Sequence, residues 1–166
     1  SHITYPANFQ LIAAMNPCRC GFLGDGAREC KKAPVCGEEY KNKISGPLMD
    51  RIDIVVNVGQ IDVFNSNKIE KSEDSKDVLA RVLGARELQQ ERYEKESEMK
   101  NLPKINAKID GKILEKFCEL DSQSQQIMQN SVMKMQSSMR GITRILRVSR
   151  TIADLEASKT IQAQHI

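Results

Sequence analysis

Tryptophan is absent from this 166-residue chain, and aromatic residues make up only 4% of it. So few flat rings argue against a surface that holds single-stranded nucleic acid by stacking. No apolar run approaches the roughly 20 residues of a membrane span, and no signal peptide opens the sequence. Also missing are a G-x-x-x-x-G-K-[ST] loop and an apolar strand ending in Asp-Glu. Without the first, nothing wraps the phosphates of a nucleotide. Without the second, nothing holds Mg2+ and activates water, so the chain by itself is not expected to hydrolyse ATP. There is no initiator methionine: Ser1-His2-Ile3 leads quickly into a buried-looking segment, the pattern expected of a fragment. The two histidines, His2 and His165, lie at the chain ends without a neighbour that suggests catalysis. No internal repeat is found.

What is present suits a globular protein, with 40% hydrophobic and 28% charged residues. The net charge of +3 neither excludes nucleic acid nor establishes it, because the placement of the charge decides. Five cysteines without a secretory signal point to a reducing cytoplasm, where clustered thiols more often bind metal than pair as disulfides.

Along the chain, Phe9 to Met15 is a short apolar run bounded by Pro6 and Pro17 and reads as a buried strand. A glycine-bearing loop with four of the cysteines follows. Arg51 to Val58, rich in β-branched residues, reads as a second strand. Residues 65–76 are polar and read as a linker. Beyond them the pattern is helical: about Asp77 to Met99, Ile113 to Cys118, Ser122 to Met135, and Ser138 to Ala157. In the first of these, Val78, Val82, Ala85 and Leu88 fall at helical spacing, with Asp74, Ser75 or Asp77 as caps. The run Glu87 to Glu98 reads as a solvated face. Two strands followed by four helices predict the tail of an α/β layer joined to a helical bundle.

Three clusters carry chemistry. Asn16 stands just past the end of the first strand, where α/β folds place ligands. Its amide either orients a water or a phosphate there, or Asn16-Pro17 simply breaks the strand. Arg51, in the string Gly46-Pro47-Leu48-Met49-Asp50-Arg51-Ile52-Asp53, is either a paired surface ion or a guanidinium aimed at a phosphate in a neighbouring subunit. On the last helix Arg140, Arg144, Arg147 and Arg150 follow at spacings of four, three and three, which put them near one face. Ile142, Ile145, Val148, Ile152 and Leu155 occupy the other. That stripe either meets phosphate, nucleic acid or an acidic partner, or pairs with acids such as Glu115 or Glu119.

Taken in order, FQLIAAMNPCRCGFLGDGAREC, YKNKISGPLMDRIDIVVNV and MRGITRILRVSRTIADLEAS resemble, over nearly the whole chain, the C-terminal half of magnesium-chelatase-like AAA+ ATPases of the ComM (YifB) type. The resemblance implies that Asn16 is sensor 1, Arg51 a trans-acting arginine finger and Arg140 sensor 2, with Arg144, Arg147 and Arg150 left for lid or subunit contacts. It implies that residues 1–64 are the C-terminal part of an α/β ATPase core with a cysteine-bearing insert at about 18–40, and that residues 77–166 are a helical lid. ATP and Mg2+ are then expected only with an N-terminal half that carries the missing motifs upstream of Ser1. A hexameric ring around DNA, driving branch migration in recombination and natural transformation, is the implied setting. A magnesium-chelatase role ranks below it, because the cysteine insert and the last basic string are closer to the ComM branch.

Cys18, Cys20, Cys30 and Cys36 are enough for a tetrahedral Zn2+ site that would staple an insert with little apolar content. In relatives the fourth cysteine usually follows the third by two. Here that place is Lys32, so either Cys36 takes over or the site is degraded. Cys118, on an apolar helix face, reads as core packing. Two other functions remain in view: a zinc-stabilised module that binds nucleic acid or protein through the arginine helix, and an inert remnant of a decayed gene.

Overall fold

A computed structural model describes residues 2–26, 28–49, 51–59, 73–135 and 138–166. The chain divides into two units, residues 1–52 with 57–60, and residues 53–56 with 61–166.

The second unit is built of helices α3 (Ser75–Glu94), α4 (Gly111–Phe117), α5 (Ser122–Met135) and α6 (Met139–Leu155). Local chemistry sets their starts. Asp110 accepts from the backbone N–H of Gly111 at 2.9 Å before α4. Asp121 accepts from Ser124 at 2.7 Å in the first turn of α5, and Ser138 accepts from Gly141 at 3.3 Å before α6. Each satisfies a donor that a helix start leaves without an intrahelical partner. Asp74 stands at the cap position of α3 without a side-chain bond, so α3 begins two residues earlier than expected and without that help.

Tyr93, Met99, Ile109, Ile113, Leu114, Cys118, Ala153 and Ile161 form the core, with Phe117, Leu120, Leu146 and Ile166 packed against it. Tyr93 meets Phe117 edge-on, with ring centroids 5.3 Å apart. Cys118 is buried there as expected, and burial pushes its thiol up to about 11. The faces of α3 and α6 differ from the apolar periodicity. Of the expected face only Ala85 is buried; Val78, Val82 and Leu88 are exposed, and α3 buries Gln89 and Tyr93 in their place. On α6, Ile152 and Leu155 are exposed, and the buried residues are Ser149, Arg150, Ala153 and Asp154. A buried polar cluster, described below, explains both rotations.

After α6 the chain returns along the unit. Ile161 makes an isolated parallel bridge with Leu120. The turn Ala163–His165 is held by the buried His165, whose Nδ1 accepts from the Gln162 N–H at 2.9 Å while Nε2 lies 3.0 Å from Glu156 Oε2. His165 therefore does have a partner, but both ring nitrogens are engaged, which leaves none for a proton abstraction. The bond from His165 holds the Glu156 carboxyl below its ordinary value of 4.5. A lowered folded-state value contributes stability above the ordinary value and loses it as pH falls through the lowered one. Amide exchange at Ile166 is therefore expected to rise on acidification below pH 4.5. A Glu156→Gln chain should lack that step; the same step in both would remove Glu156 as its cause.

The expected α/β layer does not form among the described residues, which hold no strand. Phe9, Ile12, Ile54 and Val58 lie outside any regular element, with exposed side chains. Strand propensity is not a strand: the backbone needs a neighbour to take its hydrogen bonds, and a buried strand needs covering on its faces. Neither segment finds one. Most of the expected linker falls in residues 60–72, outside the described residues, and its last two positions belong to α3. Among the described residues no helix is long and apolar enough to cross a membrane.

Candidate functional site

Among its described residues the first unit has two short helices, α1 (Val35–Lys41) and α2 (Gly46–Met49). Its buried residues, among those described, are Cys18, Asp25, Cys36 and Gly37. No leucine, isoleucine, valine or phenylalanine is among them. Two of the four are thiols, and the others serve the same knot. Asp25 takes the Arg28 guanidinium at 3.0 Å, and Gly37 sits so close to the preceding loop that a Cβ would overlap Leu23.

Turns bring the cysteines together. The N–H of Gly21 donates to Cys18 O at 3.1 Å, with Gly21 in a left-handed φ of 83°. The N–H of Ala33 donates to Cys30 O at 2.8 Å, and that of Cys36 to Lys32 O at 3.0 Å. The sulfurs of Cys18, Cys30 and Cys36 lie within 4.8 Å of one another, and Cys20 Sγ is 3.2 Å from Cys18 Sγ. All five cysteines of the chain are free. The Cys36-to-Lys32 bond closes a four-residue turn, and the sulfur of Cys36, with no cysteine at position 32, joins those of Cys18 and Cys30.

The thiols share their protons unevenly. Burial opposes ionisation of Cys18, but bonds from Cys20 and from backbone N–H groups outweigh it and bring the thiol down to about 7. Burial, then Cys30 and Cys18, drive Cys36 up to about 12. Four sulfurs so close do not all ionise beside one another unless a cation neutralises them. A tetrahedral Zn2+ with Zn–S bonds of about 2.3 Å needs sulfurs about 3.8 Å apart. Cys18, Cys30 and Cys36 lie close enough to share such an ion, Cys20 reaches the group through Cys18, and the donor set fits the ion.

Asn16 and Arg51 belong to this same unit. Asn16 is exposed, two residues before Cys18. Arg51 follows α2, is exposed, and donates to the carbonyl of Pro47. Asp50 lies outside the described residues. Asp53 is 66% exposed and 3.9 Å from Arg144.

The arginines of α6 separate into different roles. Arg140, in the first turn, is exposed. Arg147 donates to Ile109 O at 2.8 Å and lies 3.6 Å from Asp110. Arg150 is 2% exposed and fully engaged: it bonds Asp154 at 3.1 Å, Lys159 O at 3.1 Å and Ser158 O at 2.6 Å. The continuous basic stripe is thus dismantled by Asp53, Asp110 and Asp154, which take one of its arginines each, rather than by Glu115 or Glu119.

Asp154 is the hub of a network that apolar spacing did not suggest. It takes both guanidinium arms of Arg92 and the Asn106 amide at 2.8 Å. Asn106 in turn accepts from the Tyr93 hydroxyl at 2.7 Å, and its N–H donates to Gln89 at 3.0 Å. Within the run Glu87 to Glu98, read as a solvated face, Gln89 and Tyr93 are buried. The available signal was Arg150 and Asp154 one turn apart, opposite in charge, on a helix that must pack. An open groove of about 390 Å3 near this network is lined in part by Arg81, Leu88, Glu91 and Leu155. It is at the far end of α6 from Arg140, about 20 Å along the helix.

Residues 72–166 match the family described as magnesium chelatase, subunit ChlI C-terminal, and residues 1–65 match magnesium chelatase, subunit ChlI. The chain is similar to the protein YifB of Salmonella typhimurium, 34% identical over 165 residues, which are 99% of this chain and 30% of that protein. It is 36% identical over 166 residues to the competence protein ComM of Haemophilus influenzae, covering 99% of this chain and 30% of ComM. A Mycobacterium tuberculosis protein is 30% identical over 151 residues, 91% of this chain and 28% of its own length. The chain thus spans less than a third of the length of these relatives.

Proposed function

We propose, from the premise that this chain belongs to the magnesium chelatase ChlI family as a member similar to ComM and YifB, that it is the sensor-and-lid portion of a cytoplasmic AAA+ ATPase. Residues 1–64 belong to the ATPase core and 77–166 to the lid. The segments Phe9–Met15 and Arg51–Val58 become strands of an α/β layer once the rest of that core supplies their neighbours. Asn16 then senses the γ-phosphate, Arg51 reaches the nucleotide of the next subunit, and Arg140 reaches its own from the lid. ATP and Mg2+ are held by the N-terminal half, the assembly is a hexameric ring, and DNA is the polymer on which it works. The four clustered thiols hold a structural Zn2+ that takes no part in the hydrolysis.

The observation that supports this reading best is the sorting of the arginines on α6. The resemblance assigns nucleotide contact to Arg140 alone, and Arg140 is the exposed one, whereas Arg147 and Arg150 are committed to the fold. The same sorting weakens the rival reading of a free-standing module that grips nucleic acid with the whole arginine helix, because Arg150 is buried.

The test is ATP binding and hydrolysis by the purified chain, with and without DNA, and again after the N-terminal half of a ComM-type relative is added. Silence alone and turnover on reconstitution are expected. Turnover by the chain alone would overturn the assignment, and salt-sensitive DNA binding without any nucleotide response would favour the rival module. No response in either assay would leave an inert remnant.

A further inference from the structure

The thiol cluster stands between the two residues of the first unit assigned to nucleotide chemistry, Asn16 and Arg51. On one side, buried Cys18 is two residues from Asn16. On the other, Cys36 starts a run of short-range backbone bonds that ends at Arg51. Asn42 donates to Glu38 O, Lys43 to Tyr40 O, and Ile44 to Lys41 O. Leu48 and Met49 both donate to Ser45 O, Arg51 to Leu48 O, and Ile52 to Met49 O. These bonds, all between 2.9 and 3.3 Å, make residues 36–52 a nearly continuous series of turns with the thiols at its head. Its described residues beyond Gly37 are half-buried or exposed, so side-chain packing does little to fix where the series points.

Resting on the reading of Arg51 as a trans-acting finger, we propose that one Zn2+, bound by Cys18, Cys20, Cys30 and Cys36, is a positioning device that holds the Arg51 end of this series at a set place relative to Asn16. The physical reason is the composition of the unit. The described residues of the unit bury no aliphatic side chain, and the arm that carries Asn16 meets the arm that leads to Arg51 at the thiol cluster, with Gly37 closing on Leu23 beside it. Small units without a sufficient core take their order from metal or disulfides, and metal binding there is folding free energy. Binding of the ion displaces thiol protons to solvent and changes no oxidation state. Arg51 touches neither the ion nor its ligands and is placed through the intervening turns.

The experiment uses the full chain, loaded with Zn2+ and then stripped with a chelator, and reads metal content and amide hydrogen exchange. Substitution with Co2+ reports the ligands, since a tetrahedral tetrathiolate site gives visible d–d bands and a thiolate charge-transfer band. The expected result is one Zn2+ per chain and, on stripping, exchange at least about tenfold faster at Ile44, Leu48, Met49, Arg51 and Ile52 as well as within 18–36. Exchange in α3 and α6 should stay unchanged. Faster exchange confined to 18–36 would overturn the positioning role and leave the metal site standing. Absence of bound metal, or equal loosening of α3 and α6, would remove the site as proposed. None of these outcomes depends on ATP turnover, so failure of the ATPase reading shows separately, in the reconstitution assay.

Discussion

Asp154→Ala is expected to destabilise the helical unit by about 3–5 kcal/mol, the range found when one partner of a buried ion pair is removed. The carboxylate meets two guanidiniums and a side-chain amide at once. Arg150 is 2% exposed, and the Arg92 side chain is 17% exposed. Burial disfavours the charge on Arg92, yet the bond and attraction of Asp154 outweigh it and raise the guanidinium above its ordinary value. Without Asp154 both cations keep their charge, because arginine does not give up its proton, and both lose the anion that offsets their desolvation. Asn106 loses an acceptor in the same step. The measurement is urea unfolding followed by far-ultraviolet circular dichroism, with the midpoint shifting at constant slope. Asp154→Asn, which retains an acceptor without the charge, should fall between the two. A loss below about 1 kcal/mol for the alanine variant would be that of a surface pair. It would mean that Asp154 is not the hub described here.

Arg51→Ala should lower ATP turnover of the reconstituted assembly by about 10³–10⁵-fold and leave nucleotide binding nearly unchanged. A finger stabilises charge that develops on the transferring phosphoryl group, so its loss falls on turnover rather than on affinity. Arg51→Lys should not restore activity, because a point charge on a flexible stem does not reproduce a planar fork of donors. Neither change should unfold the chain. Arg51 is exposed, and its bond goes to the carbonyl of Pro47 in the adjoining helix α2, so the cost should stay within about 0.5 kcal/mol. Action across a subunit boundary has its own signature. Arg51→Ala chains, each with an intact partner half, should regain turnover when mixed with assemblies that carry Arg51 but have a disabled phosphate loop. Equal losses in binding and turnover, or no recovery on mixing, would place Arg51 in the frame of its own subunit.

The sequence made the helical unit legible because its signals are local. The pattern gave α5 from Ser122 to Met135, the observed bounds, and in the structure Asp121 caps its first turn. The buried faces of α3 and α6 were missed for one shared reason. Apolar periodicity counts hydrophobic residues, and here Gln89, Arg92, Asn106, Arg150 and Asp154 occupy the interior as a paired set. Each looks exposed by type, and only the others make its burial affordable. The strands failed for the opposite reason. Phe9–Met15 and Arg51–Val58 have the right composition, but a ladder needs a second chain segment, and local preference cannot supply one. At the thiols, the spacing disclosed four clustered cysteines but not which of their sulfurs approach one another. That depends on the turn closed by Cys36 onto Lys32.

Helix α6 behaves as a cantilever. Its C-terminal end is built in, with Arg150 and Asp154 buried and tied to α3 through Arg92 and to the following chain through Ser158 and Lys159. Its N-terminal end carries Arg140, six residues from Leu146, which packs against the core, a span of about 9 Å at the rise of an α-helix. A load applied at the tip of a built-in beam produces its greatest bending moment at the support. A tug on Arg140 is therefore felt most at the wall, where Leu146 and Arg147 first tie α6 to the rest of the unit.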